Sequence, residues 1–525
     1  MVRRALAALI SIVGAGALVW GSVGSVAAAA STTASVSAAS TAKKYGTAKA
    51  SGKTAASSGT VRRAPVAKMA KSGKGKKGRG GTVSRTHGRV AGHGATGHGA
   101  TGHGSAGHGS AGHGGARPAV LVGTVERPMG GREATIGRIT EELASTKVGI
   151  ENPEALGPFF EQLSALEQNP KGELVRAIQF GDSHTAADLF TGALRTLFQT
   201  KFGDGGAGFQ FAGYPFAGYR IHGTKRSQST GWTVLGTHLR DIGDGMVGMG
   251  GISLSTEAAG NWVSVDADAN LLEVQYLLQP SGGHIEIYDG EVRLATVSTA
   301  GPGGAGHFDL AVPGGAHQFE VRTIDEAPVR LLGLVTENAS GATYEAAGIN
   351  GAEASLFLRW DEGLQGTLMA GREPALIVLS YGTNEASDHN WTEESYAAMF
   401  RLIVARCRRM APKASILVVG PPDRALRVGR RGWTPFAGVD RIVQAQKSVC
   451  RELGCAYWDQ RRRMGGFGSM RDWVSVQWAQ GDHTHFTAEG YDELASALFS
   501  DIVQQYSTYV GSAPKTAKVA GGDGQ

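Results

Sequence analysis

Four short blocks carry residue types that can do nucleophilic chemistry. The first is F-G-D-S-H-T, residues 180–185, placed after an apolar run and before a helical pattern. Ser183 would then sit at a helix N-terminus, where free backbone N–H groups and the helix dipole favour an anion. Acyl transfer passes through an oxyanion, so this placement suits a nucleophilic serine. Asp182 and Ser183 are equally ordinary helix caps. The second block is D-H-T-H-F-T, residues 482–487. A hydroxyl is a weak nucleophile at neutral pH; it needs a base, and the base needs an orienting group. Asp482 and His485 are three apart, which in a turn brings the carboxylate to one imidazole nitrogen and leaves the other for Ser183. His483 is the rival base, and its neighbouring position points it elsewhere, to the surface or to a supporting role. Thr487 doubles as a cap for the last helix.

The third block, Y-G-T-N-E at 381–385, directly follows the apolar run ALIVLS. Asn384 could donate a hydrogen bond into the same crevice, or make a local Asx-turn. The fourth, G-I-N-G-A at 348–352, offers a glycine N–H that can approach a ligand closely. Gly351 is the preferred donor and Gly348 the less favoured one.

Elements must bring these blocks together. Leu156, Phe159, Phe160, Leu163 and Leu166 form a helical stripe over 153–168. A strand follows at 175–180 and a helix at 188–202. Beyond residue 348, strands at 375–380, 416–420 and 456–459 alternate with helices over 392–410, 439–453 and 487–506. Such alternation predicts a parallel sheet covered on both faces, with the site at the carboxyl ends of its strands. Between the halves the texture changes. Glycine and aromatic residues crowd 203–251, which predicts irregular loops. Period-two alternation in IEIYD and FEVRT, within 261–337, predicts a small inserted antiparallel β-sandwich. Tyr214, Tyr219, Trp232 and Trp262 are either sugar-stacking surface or core.

Charge is uneven. Residues 1–117 hold 17 Lys and Arg and no acid, while the whole chain is only +6, so a basic tail precedes an acidic body. Arg3 and Arg4, the apolar run 5–20 and the small residues 27–30 read as an export signal cleaved near Ala30, with an uncleaved anchor as the alternative. Residues 31–135 lack apolar periodicity and are expected to be disordered. His93, His98, His103, His108 and His113 recur inside a Gly-rich repeat that reads as a flexible spacer. The Lys-rich part between Lys68 and Arg79 could rest on an anionic wall polymer. Cys407, Cys450 and Cys455 are odd in number and match no zinc spacing. No metal or cofactor is expected, and nucleic acid is not among the expected partners.

Taken together, the four blocks resemble the SGNH (GDSL-like) hydrolase superfamily over residues 176–506. The resemblance implies a flavodoxin-like three-layer α/β fold. It implies Ser183 as nucleophile, Asp482 and His485 as its partners, and Gly351, Asn384 and the Ser183 N–H as an oxyanion hole. The chain departs from the pattern at His184, where Leu is usual, and at Glu385, where Asp is usual. His184 is expected only to line the crevice. GDSHTA, YGTNEA and DHTHFT flanking a sandwich are similar to bacterial peptidoglycan O-acetylesterases, whose inserted module is similar to carbohydrate-binding modules. That implies an exported, envelope-located esterase acting on an O-acetylated glycan. An O-acetyltransferase, a lipase or acylhydrolase on the same triad, and a non-catalytic wall-binding protein remain open. The expected division is a signal peptide to 30, a low-complexity segment to 135, the hydrolase over 136–255 and 341–508, the sandwich over 256–340, and a tail from 509.

Overall fold

A computed structural model describes residues 130–145, 149–237, 242–430 and 432–512. The expected signal peptide, nearly all of the low-complexity segment with its His repeat, and most of the expected tail lie outside the described residues.

A six-stranded sheet runs in the order Ile150–Glu151, Ala456–Trp458, Ser415–Val419, Leu376–Ser380, Leu174–Gly181, Gly341–Gly348. All neighbours pair in parallel except the short edge strand Ile150–Glu151. Side chains of a strand alternate between faces, and here both faces are apolar. Ile178, Phe180, Ile377, Leu379 and Val418 join one buried cluster, while Val175, Ala177, Leu376, Val378, Leu417 and Val419 join the other. This explains the near-continuous apolar runs in the sequence.

The helices Glu362–Arg372, Glu393–Met410 and Gly438–Leu453 bury Leu364, Phe400, Ile403 and Val443 in the first cluster. Arg132–Ala144, Gly157–Gln168, Phe190–Phe202 and Ala488–Ser512 bury Ile139, Phe160, Phe198 and Leu498 in the second. Local signals set several ends. Thr392 and Ser395 form a reciprocal capping box at 3.1 and 2.9 Å. Gly454, at φ +66°, ends the helix Gly438–Leu453. The helix Arg132–Ala144 begins inside the stretch expected to be unstructured. Its Thr135, Ile139 and Leu143 make a one-sided stripe too short to stand out beside a low-complexity neighbour. The last helix likewise runs past 508 to Ser512. Among the described residues, no helix is long and apolar enough to cross a membrane.

Between the strands Leu174–Gly181 and Gly341–Gly348 the chain forms two antiparallel sheets. One contains Lys225–Gln228, Trp262–Asp268, His284–Asp289, Val292–Ser298 and Ala316–Thr323. The other contains Thr233–Leu235, Ser253–Thr256, Leu271–Leu278, Gly304–Ala311 and Val329–Glu337. Val263, Val265, Ile287 and Phe319 of the first pack with Leu254, Val274, Leu331 and Leu334 of the second. Part of the region expected to be irregular therefore supplies strands: Lys225–Gln228, Thr233–Leu235, and Gly208–Gln210, which pairs with Val329–Glu337. These strands are only three or four residues long and carry few β-branched residues, so alternation could not reveal them.

A buried ion network joins these sheets to the parallel sheet. Arg372 bonds Glu337, the last residue of an antiparallel strand, and Glu345, in the middle of a parallel strand. Arg176 makes a bidentate pair with Glu337 at 2.8 and 2.9 Å. Burial alone would raise the Glu337 pKa, but the two guanidinium groups hold it down to about 2.

Candidate active site

The strand Leu174–Gly181, between Leu376–Ser380 and the edge strand Gly341–Gly348, ends at the carboxyl rim of the parallel sheet, and a four-residue helix, Ser183–Ala186, begins at once. Asp182 caps it by accepting the His184 N–H at 2.9 Å. This tight entry needs glycine. A Cβ on Gly181 would lie 2.7 Å from the Ser380 carbonyl oxygen, and one on Gly348 would lie 2.4 Å from the Ala186 nitrogen. The two glycines are register partners in adjacent strands. The short helix can therefore settle directly onto the strand ends.

Ser183 is half-buried, and its Oγ lies 2.8 Å from His485 Nε2. His485 Nδ1 lies 2.7 Å from Asp482 Oδ2. The second carboxylate oxygen accepts the backbone N–H groups of Thr484 and His485, both at 3.0 Å. The carboxylate thus shapes the turn and holds the ring at the same time. Burial pushes the Asp482 pKa up, but the hydrogen bonds from the His485 ring and from these N–H groups outweigh it and hold it below the ordinary value. An ionised carboxylate only accepts, so Nδ1 carries the proton and Nε2 is free to accept from Ser183. The turn is fastened by Gln480, whose N–H donates to the His485 carbonyl at 2.8 Å and whose amide donates to the Phe486 carbonyl at 2.9 Å. Gly490 N–H donates to Thr487 Oγ at 3.3 Å, so the cap on the last helix coexists with this arrangement.

Asn384 donates to the Ala352 carbonyl at 2.9 Å, and its Nδ2 lies 3.5 Å from Asp182 Oδ2. It therefore bridges the glycine block and the serine block. The next residue reinforces this. Buried Glu385 accepts the Ala354 N–H at 2.7 Å, so the residue that departs from the family pattern ties two strand-end loops together. Gly351 adopts φ +75° in an exposed turn closed by the Ala352 N–H bonding the Ile349 carbonyl at 3.1 Å. That turn starts where Gly348 pairs with Gly181, at the same sheet edge as Ser183.

Two further histidines lie beside the relay. His184 is buried rather than simply lining a crevice. Its Nδ1 lies 2.9 Å from the Tyr491 hydroxyl, and its ring centroid is 5.2 Å from that of His485. Burial first, then the charges of His485 and Arg424, push its pKa down to about 3. It stays neutral and does not compete with His485 for a proton. His483 is also buried, at φ +55°, and stacks on Trp433 with centroids 4.2 Å apart. Its ring is committed to that stack, which agrees with a supporting role.

Other groups were not singled out from sequence. Asp182, read as a cap, is buried, and burial pushes its pKa up to about 6 against the His184 N–H, Thr383, His485 and Arg424. Arg424 donates to the Thr383 carbonyl at 2.7 Å and to Ser387 Oγ at 2.8 Å. Asp182 stood inside a quoted block, whereas nothing local marks Arg424 or Tyr491. Tyr219 and Trp232 are buried in the core, so only Tyr214 and Trp262 of the four aromatics present surface. Among the described residues, no cluster of side chains could hold a metal ion.

Residues 303–493 match the GDSL-like Lipase/Acylhydrolase family. The match includes Gly351, Asn384, Asp482 and His485 and starts after the serine block. A solved peptidoglycan O-acetylesterase is 29% identical, with a TM-score of 0.59, covering 67% of this chain and 96% of its own. The chain carries a GDSL-like hydrolase domain. This GDSL-like protein is a carboxylic ester hydrolase. A family two carbohydrate esterase from Cellvibrio japonicus is far more distant, at 11% identity and a TM-score of 0.24, covering 55% of this chain and 99% of its own. No curated protein matches the sequence.

Proposed function

We propose that this GDSL-like hydrolase removes O-acetyl groups from an envelope polysaccharide, with peptidoglycan as the substrate. The observation that carries the reading is the unbroken relay from Asp482 through His485 to the Ser183 hydroxyl. The likeness to a peptidoglycan O-acetylesterase supports the choice of polymer.

In the first step, His485 Nε2 takes the Ser183 proton as Oγ bonds to the acetyl carbonyl carbon. The carbonyl oxygen becomes an oxyanion, held by the N–H groups of Ser183 and Gly351 and by the Asn384 amide. One Asn384 N–H is used by the Ala352 carbonyl at 2.9 Å; the other makes only a long contact of 3.5 Å with Asp182 Oδ2 and turns from it to the oxyanion. Asp482 stabilises the imidazolium that forms. The bond to the sugar oxygen then breaks, and His485 returns its proton to that oxygen. Water, deprotonated by His485, attacks the acetyl-Ser183 carbonyl. Acetate leaves, and the proton returns to Ser183.

The two antiparallel sheets read as an inserted β-sandwich, a carbohydrate-binding-like module over about 225–340 within the hydrolase. The N-terminal signal reads as export to the periplasm or envelope, and the basic segment as a contact for anionic wall polymer. Acetate release from O-acetylated peptidoglycan, measured beside O-acetylated xylan, tests the reading. The wild type should favour peptidoglycan, and Ser183→Ala should release no acetate from either. Preference for xylan would overturn the choice of polymer.

A further inference from the structure

One exposed aromatic beside the relay is unused by the chemistry above. The short hairpin of Ala425–Arg427 and Trp433–Pro435 leans on the histidine turn: the Ala425 N–H donates to the His483 carbonyl at 3.1 Å. Trp433 is 40% exposed, an unusual state for so large an apolar ring. Its other face is fixed, because the His483 ring lies 4.2 Å away at an interplanar angle of 25°. His483 is itself buried at a positive φ, and its Nδ1 has no hydrogen-bond partner among the described residues. The turn thus spends a strained, buried histidine on holding an indole upright next to His485 and Asp482.

The hairpin register adds a second feature. Arg427 and Trp433 are direct cross-strand partners, so their side chains leave the same face of the ladder as neighbours. Arg427 is exposed. A flat aromatic ring beside a guanidinium suits a pyranose that bears a carboxylate: the ring's apolar C–H face packs on indole, and the guanidinium meets the anion.

We propose that this hairpin is a glycan subsite, in which Trp433 stacks on a sugar ring of the acetylated polymer and Arg427 pairs with a carboxylate carried by that polymer. The inference rests on the glycan-esterase reading and deepens it. It assigns Trp433 and Arg427 to recognition of the chain around the ester rather than to the reaction at it.

Steady-state kinetics on p-nitrophenyl acetate, O-acetylated peptidoglycan and an O-acetylated neutral xylan test this. The quantity read is kcat/KM on each glycan divided by kcat/KM on p-nitrophenyl acetate. Trp433→Ala should lower that ratio about tenfold on both glycans, mainly through KM, and Trp433→Phe should recover most of it. Arg427→Gln should lower it on peptidoglycan and leave it unchanged on neutral xylan. Because Arg427 is exposed, its variant keeps the test open should Trp433→Ala fail to fold. An active wild type whose ratios stay within about twofold in both variants overturns the subsite alone. A wild type that cleaves p-nitrophenyl acetate but neither glycan overturns the functional reading and the subsite together.

Discussion

His485 Nε2 and Ser183 Oγ lie 2.8 Å apart although 302 positions separate them in the chain. The parallel sheet makes this possible. Ser183 follows the strand Leu174–Gly181, and His485 enters on the turn before the last helix, which packs beside that strand's own helix Phe190–Phe202.

Removing the base or its orienting group should therefore cripple turnover without unfolding the protein. His485→Ala and Asp482→Asn should each lower kcat on p-nitrophenyl acetate by about 10³–10⁴-fold. Circular dichroism should show intact secondary structure. A loss below about tenfold would assign base catalysis elsewhere.

Asn384 has two tasks, a loop tie to Ala352 and the proposed oxyanion contact. Asn384→Ala should cost about 10²–10³-fold in kcat, because oxyanion contacts strengthen in the transition state. KM should change little. A loss confined to KM would make Asn384 a ground-state binding residue.

Glu385 should leave a signature in stability against pH. Burial above all, aided by the nearby Asp182 and Glu353 and opposed by the Ala354 N–H, pushes its pKa from 4.5 up to about 8. Between those values the folded protein keeps a proton that the unfolded chain has lost. Its contribution to stability is therefore full below about pH 4.5 and is lost as pH rises to about 8. Glu385→Gln keeps the acceptor for Ala354 and removes the titration. Urea midpoints measured across this range should fall less steeply in the variant, and an equal slope would show that Glu385 does not hold the proton.

Arg372 neutralises two buried carboxylates at the junction of the antiparallel and parallel sheets. Arg372→Met leaves Glu345 unpaired beside Glu337, which keeps Arg176; breaking a buried pair in this way typically costs about 3–5 kcal/mol. Chemical denaturation should show a loss of this size. A near-neutral effect would mean the carboxylates share a proton or recruit water.

The parallel strands were legible in the sequence as short apolar runs and their helices as one-sided stripes. Leu376–Ser380 lies where an unbroken apolar run put it, and Glu393–Met410 where helical spacing did. Ser183, Asp482 and His485 were legible because each sits in a short block at an element boundary. The rest depended on distance. Arg424 and Tyr491 reach the site only through tertiary packing, and no local pattern marks them. The strand Gly341–Gly348 is rich in Gly and Ala, with no β-branched residue but Thr343, so its place at the sheet edge was hidden. His184, expected only to line the crevice, is buried against Tyr491, a partner 307 positions away.

The central claim is that Ser183 forms the acyl-enzyme. The most direct measurement is intact and peptide mass analysis after reaction with a phosphonate ester that traps serine nucleophiles. The account predicts one adduct per chain, on the peptide containing Ser183, with loss of esterase activity in step and no adduct in Ser183→Ala. An adduct on another residue, or a Ser183→Ala protein that keeps its activity, would contradict it.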